Sequence, residues 1–410
     1  MSEALPISMP DMTADTAEPD LNEGAGLFTS RAIIAIAVGL MGVGAIMTCS
    51  AGATLGRPLL GWRFWEFQAG RQILFILAGM IAMLVVARIP YRIWSAGGGA
   101  LALVALVLAI GSLVLVYVPG LGVEVNQARR WVRVSPDSVG LRFQPSELIK
   151  IMLPIFLAVW LTLRVDISRF WTGLIPIVGV IGVCVAGIGL EDFGTAALLA
   201  GVAGTMLLVG GARLWHLFLM VLPALPAFGY LLISRQHRMR RLLTYLNIWE
   251  DPQGEGYQVI QSLCTIAHGG WWGRGLGNGM IKTYLPEART DFIFAVICEE
   301  LGIAGAAVVI ALLIALLWQG LKTVRICGDP TGRLLAFGIT ITLGLQAAMN
   351  IAVVTVSVPT KGISLPLVSA GGSGAIFLGM LVGLLANIAR KSDRGVPLTG
   401  DSKTLNNRCG

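Results

Sequence analysis

Long apolar runs separated by short polar connections set the pattern of this chain. Ten of the runs can cross about 30 Å of hydrocarbon as helix: 32–51, 71–87, 97–118, 148–163, 171–190, 194–210, 214–233, 292–318, 334–357 and 366–389. The pattern predicts an all-α, polytopic integral membrane protein. An even number of spans places both termini on one side. Arg88 and Arg92, Arg164 and Arg169, Arg213, then Lys322, Arg325 and Arg333, then Arg390 and Lys391 fall on alternate connections. By the positive-inside rule that side, which carries both termini, is the cytoplasm. The connections 119–147 and 234–290 then face outward, the second as a large extracytoplasmic loop between the seventh and eighth spans.

Composition agrees: 55% of residues are hydrophobic, 13% are charged and the mean hydropathy is +0.78, far from a soluble domain. The expected organisation is a disordered acidic tail over 1–30, a membrane domain over 31–390 and a second tail over 391–410. The N-terminal segment has no basic region, so a cleavable signal peptide is not expected. The six cysteines lack C-x-x-C spacing and the three histidines share no ligand spacing, which argues against a disulfide framework or a metal site.

Both outward loops break the charge rule. Residues 119–147 carry Arg129, Arg130, Arg133 and Arg142, and four arginines lie between 235 and 241. Guanidinium binds phosphate through paired hydrogen bonds, so arginine-rich loops beside a bilayer suit a lipid-linked phosphate or diphosphate. Snorkelling to headgroups is the plainer alternative and stays open. Pro145 reads as the first turn of a helix in which Glu147 and Lys150 share a face, either as a self-neutralising ion pair or as part of an interior polar site.

The most pointed candidate is Asp291, in Leu285-Pro286-Glu287-Ala288-Arg289-Thr290-Asp291-Phe292, at the junction of a polar loop with an apolar span. A carboxylate at a bilayer boundary is costly to desolvate and is a functional candidate, with Arg274, Lys282 and Arg289 nearby in sequence. Its plain reading is a helix N-cap. The glycines of 269–279 do not match a dinucleotide loop; they read as tight turns beside the membrane surface, with Trp271 and Trp272 at the interface. Proline and glycine breaks over 359–374 point to irregular backbone lining a site. Gln346 and Asn350 read as hydrogen-bond glue, and Glu299 and Glu300 as a pair facing the bundle interior, one of which could be protonated.

Taken in this order on ten spans, the blocks around Arg130-Trp131, Glu147-Lys150, Asp291 and Pro359-Thr360-Lys361-Gly362 resemble the SEDS family (shape, elongation, division and sporulation) over roughly residues 30 to 390. The resemblance implies a peptidoglycan glycosyltransferase that polymerises lipid II, the undecaprenyl-diphosphate-linked disaccharide-pentapeptide, on the outer face of the bacterial cytoplasmic membrane. It also implies a class B penicillin-binding protein as partner, alongside other divisome proteins and membrane lipid, and no nucleic acid. Leu285–Ala288 and Pro359–Gly362 are closer to the division branch than to the elongation branch, which favours the septum. The family's essential aspartate falls on Asp291. Substrate contacts are expected from Arg130, Glu147, Lys150, Arg274, Lys361 and Ser369.

Glycosyl transfer needs a base for the acceptor hydroxyl and positive charge for the departing diphosphate, so Asp291 is expected as base with the loop arginines around the leaving group. No cofactor is evident, although a divalent cation could assist. Three departures from the family pattern stand out: Arg289 for histidine, Ala370 for an aromatic, and Glu191 for the proline before Asp192. The extra arginine is expected to lower the pKa of Asp291. An elongation polymerase, a lipid II flippase or other transporter, and a non-catalytic scaffold remain as alternatives.

Overall fold

The structure, a computed structural model, describes residues 25–392 except 53–67, 126–127, 135–141, 165–166, 168, 255 and, within 220–235, all but 222, 226 and 229. The remainder of both expected tails therefore lies outside the described residues. The helices are α1 (Ala25–Gly52), α2 (Gln68–Val86), a 3-10 segment (Tyr91–Gly99) running into α3 (Ala100–Val114), α4 (Pro145–Leu163), α5 (Ile175–Gly189) and α6 (Phe193–Val209). They continue with α7 (Gln236–Leu246), α8 (Tyr257–Gly269), α9 (Ile293–Ile326), α10 (Pro330–Val354) and α11 (Ser373–Ser392). Among the described residues, seven helical stretches are long and apolar enough to span a membrane, and two shorter apolar helices lie at 70–86 and 193–209. These match nine of the ten expected runs, and the tenth, 214–233, is described as continuous helix only over 214–219.

α11 packs on α1 and α2, α9 on α1, α8 and α10, and α4 among α3, α6 and α10. The close approach of α11 to α2 has a sequence cause. Gly379 and Gly383, four apart on one face of α11, meet the α2 backbone, where an added Cβ would collide with the carbonyls of Gly79 and Met83. Between the 3-10 segment and α11, buried Asn387 accepts from the Tyr91 N–H at 3.1 Å and donates to the Ala87 carbonyl at 2.8 Å. It thereby satisfies backbone groups freed at a helix end.

One local element is not helical. The 119–147 loop holds a three-stranded antiparallel sheet in the order β1 (Gly122–Val125), β2 (Ala128–Arg133), β3 (Arg142–Phe143), with Val132 opposite both Gly122 and Phe143. The large loop is partly helical, holding the basic, amphipathic α7 and, from Tyr257, α8.

The glycine run of 269–275 has a specific task. α9 is broken at Gly302, which adopts φ +69°. At the break, the Glu299 and Glu300 carbonyls accept the N–H groups of Arg274 at 3.0 Å and Gly275 at 2.9 Å, while the N–H groups of Ile303 and Ala304 donate to the Gly270 and Trp271 carbonyls. The kink is thus satisfied by a neighbouring loop that must lie against it. A side chain at Gly273, which has φ +79°, would strike the Glu300 carbonyl. Gly273→Val is therefore expected to cost at least about 2 kcal/mol of stability. Thermal unfolding of the purified variant checks this, and an unchanged melting temperature would contradict it.

Directly beneath the kink, Glu299 and Glu300 are fully buried, as their depth suggested, and every oxygen has a partner. Glu299 accepts the N–H groups of Ile281 at 2.8 Å and Lys282 at 3.0 Å, with His268 Nδ1 at 3.1 Å. Glu300 pairs with the Lys282 ammonium and accepts the Ser50 hydroxyl at 2.5 Å. Lys282 is consequently a structural cation that pins the loop before Asp291 to α9 and to the end of α1.

Candidate active site

Asp291 lies where the 285–291 loop meets the start of α9, half-buried. It does not cap that helix. Phe292 occupies the cap position with no side-chain capping bond, and Thr290 instead donates to Glu287 at 2.9 Å. Asn350 of α10 donates to the Asp291 carbonyl at 2.8 Å and to the Ile363 carbonyl at 2.7 Å, so one buried amide fixes the backbone of Asp291 against the 359–372 segment. The glue reading of Asn350 therefore holds, although what it joins is helix to loop.

Burial pushes the Asp291 carboxyl up to about 7, and the negative charges of Glu287 and Asp192 push the same way, against the smaller opposing effect of Arg130 and Arg241. The shift is opposite to the sequence expectation. Arg289 was placed beside Asp291 by sequence proximity, yet its Nε donates to the Ala51 carbonyl at 3.3 Å. Arg274 is likewise turned to the His268 carbonyl at 3.0 Å. The cations that act on Asp291 come from far along the chain, from β2 and from α7.

Arg130 is held at the turn between α5 and α6. Its Nε donates to the Glu191 carbonyl at 2.9 Å and its Nη1 lies 3.6 Å from Asp192 Oδ2. Asp192 also caps α6, accepting the Thr195 N–H at 3.2 Å and hydroxyl at 3.0 Å. Gly362 lies between the partners: a Cβ there would be 3.2 Å from Asp291 Oδ2 and 3.6 Å from Arg130 Nη1. The absent side chain leaves the carboxylate and the guanidinium facing one shared space. Next to it, Lys361 places its ammonium 3.4 Å from the centroid of the Phe193 ring.

Glu147 and Lys150 form a buried ion pair of 2.7 Å, and Lys150 also reaches Gln346 at 3.4 Å. Gln346 in turn donates to the Ser364 carbonyl at 3.0 Å. Of the two readings that spacing left open, this geometry favours the self-neutralising pair, here one that also supports the loop. Ser369 accepts the Leu365 N–H at 2.7 Å and so closes the turn of that loop. Of the expected site residues, then, Asp291 and Arg130 face one space, Lys361 next to Gly362 turns its ammonium over the Phe193 ring, Glu147 and Lys150 through Gln346, together with Ser369, hold the 359–372 segment, and Arg274 stands on the kink loop. Asp192, Arg241 and Glu287 act on Asp291 without having been singled out. Asp192 had a usable signal, an acidic residue immediately before an apolar helix. Among the described residues no group of three His, Cys, Asp or Glu side chains is arranged to hold a metal ion.

A family model described as a cell cycle protein, covering FtsW, RodA and SpoVE, matches residues 30–394. The chain belongs to this family. It is similar to a probable peptidoglycan glycosyltransferase FtsW of Geobacter sp. (strain M18), with 38% identity over 88% of this chain and 96% of the relative. It is also similar to the stage V sporulation protein E of Bacillus subtilis (strain 168), with 36% identity over 93% and 100%. Among solved structures, a chain from a peptidoglycan synthase complex that coordinates polymerization and crosslinking superposes with a TM-score of 0.67 at 27% identity, covering 90% of this chain and 97% of that one. The rod shape determining protein RodA of Thermus thermophilus superposes with a TM-score of 0.61 at 24% identity over 88% and 96%, a likeness of fold.

Proposed function

We propose that this protein is a peptidoglycan glycosyltransferase that polymerises lipid II, with Asp291 as the general base. The observation that carries the role of Asp291 is its carboxyl, raised to about 7 and facing a space it shares with the Arg130 guanidinium. A base whose pKa lies near the working pH is ionised in useful fraction and still accepts a proton readily. Asp291 takes the proton of the acceptor sugar hydroxyl as that oxygen bonds to the anomeric carbon of the donor. The bond from that carbon to the diphosphate breaks, and the electron pair leaves on the diphosphate. Arg130, Arg241 and Lys361 supply the positive charge that receives it. Glu147 neutralises Lys150, so that pair shapes the site and carries no share of the leaving group. A divalent cation brought in on the diphosphate would act at the same point as Arg130.

The alternation of basic connections supports an orientation with both termini in the cytoplasm and Asp291 on the outer face. That is the side on which lipid-linked glycan would be joined. Similarity to a synthase complex that couples polymerization to crosslinking supports a transpeptidase of the penicillin-binding class as partner. Relatives named FtsW at 38–39% identity favour cell division and the septum.

The polymerisation rate is expected to rise with pH through about 7 as the Asp291 carboxylate forms. At one unit below that pKa only about a tenth of the base is ionised, so the rate should fall about ten-fold from its plateau. Glycan synthesis from lipid II measured between pH 5.5 and 8.5 tests this. A flat profile would remove Asp291 from the role of base.

A further inference from the structure

Arg130 projects from a short strand in an outer loop, on a three-stranded sheet of few residues. Such a sheet is marginal alone, and a side chain borne on it is positioned only as well as the sheet is moored. Beside the Phe143–Phe377 ring contact that ties β3 to α11, a polar mooring of the sheet is Glu191, in the turn between α5 and α6. Its carboxylate accepts the backbone N–H of Arg129 at 2.9 Å through Oε2 and the hydroxyl of Tyr117, just past α3, at 3.3 Å through Oε1. Its own carbonyl accepts Arg130 Nε at 2.9 Å. The Arg129 N–H sits beside the irregularity in the β1–β2 register, between Val123 and Glu124, where strand pairing gives way. Glu191 thus binds the end of α3, the backbone of β2 and the Arg130 side chain to one turn.

We propose that Glu191 is a positioning residue for Arg130, and through it for the diphosphate end of the substrate, an inference that rests on the functional reading above. The carboxylate fixes the strand one residue before Arg130 while the carbonyl and neighbouring Asp192 fix the guanidinium, so backbone and side chain are held from the same turn. Loss of the carboxylate frees the strand, and Arg130 then spends binding energy on ordering itself. Glutamine keeps an oxygen acceptor for the Arg129 N–H. Aspartate keeps the charge but falls one methylene short.

The test is equilibrium binding of fluorescent lipid II to the full-length chain in nanodiscs, carried out in the Asp291→Asn background so that no turnover is needed. Glu191→Ala is expected to weaken binding about five-fold or more, Glu191→Asp by an intermediate factor, and Glu191→Gln by less than about two-fold. In an Arg130→Ala background the Glu191→Ala change is expected to add nothing, because its effect runs through Arg130. Glu191→Asp provides the comparison should the alanine variant fold poorly. Unaltered binding by Glu191→Ala, or an equal loss with and without Arg130, would overturn the proposal. A parent protein that binds no lipid II at all would overturn the substrate reading beneath it.

Discussion

Asp291→Asn is expected to abolish polymerisation while leaving the protein at least as stable as the wild type. The two effects separate because the carboxylate is unfavourable to the fold. Its pKa rises from 3.8 to about 7 on folding, so the native state holds the proton more tightly than the unfolded chain does. For an acid shifted upward, the stabilising contribution is present below the unfolded value and is lost as pH rises through the window between the two values. Above pH 7 a charged carboxylate is left in a half-buried site beside Asp192 and Glu287. Asparagine has nearly the same shape and no charge to desolvate. At pH 8 the variant should melt at or above the wild-type temperature, and at pH 5, where Asp291 is protonated, the difference should shrink. The polymerisation rate should fall by about 10²-fold or more, the usual worth of a positioned base. A variant that melts well below the wild type at pH 8 would show Asp291 to be a structural carboxylate.

The second large effect is expected at Lys150→Met, and on the fold first. Glu147 and Lys150 are both buried and lie 2.7 Å apart. Removing one member of such a pair leaves an unpartnered charge inside the protein, at a cost of about 3–5 kcal/mol. The same change releases Gln346, which holds the 359–372 segment by the Ser364 carbonyl. Adding Glu147→Gln removes the orphaned charge and should recover much of the stability. Thermal unfolding of the single and double variants measures both steps. If Lys150→Met kept wild-type stability and lost only substrate affinity, Lys150 would be a ligand-binding residue rather than a brace.

The helices were legible because hydrophobic length is a strong signal where backbone polar groups must be satisfied within the segment. The sheet was not, since strands of four, six and two residues rich in arginine carry no run long enough to register. The glycines of 269–275 read as tight turns, but their purpose depends on the break at Gly302, which lies almost thirty residues away and is invisible locally. At the site, Asp291 could be chosen from the sequence as an ionisable residue at the edge of an apolar span, and Arg130 from its place before Trp131 in a block that resembles the family pattern. The directions of Arg274 and Arg289 could not, because closeness in sequence does not fix where a long side chain points. Arg241 and Asp192 reach Asp291 only through tertiary packing. Burial, with the charges of Glu287 and Asp192, outweighs Arg130 and Arg241 and reverses the expected sign of its pKa shift.

The most direct test is lipid II polymerisation by the purified full-length protein in complex with its cognate transpeptidase, with glycan chains resolved on a gel for wild type and Asp291→Asn. Long glycan strands from the wild type and none from the intact Asp291→Asn complex are the predicted result. Equal polymer from both would contradict the role of Asp291, and polymer from neither intact complex would contradict the glycosyltransferase assignment itself.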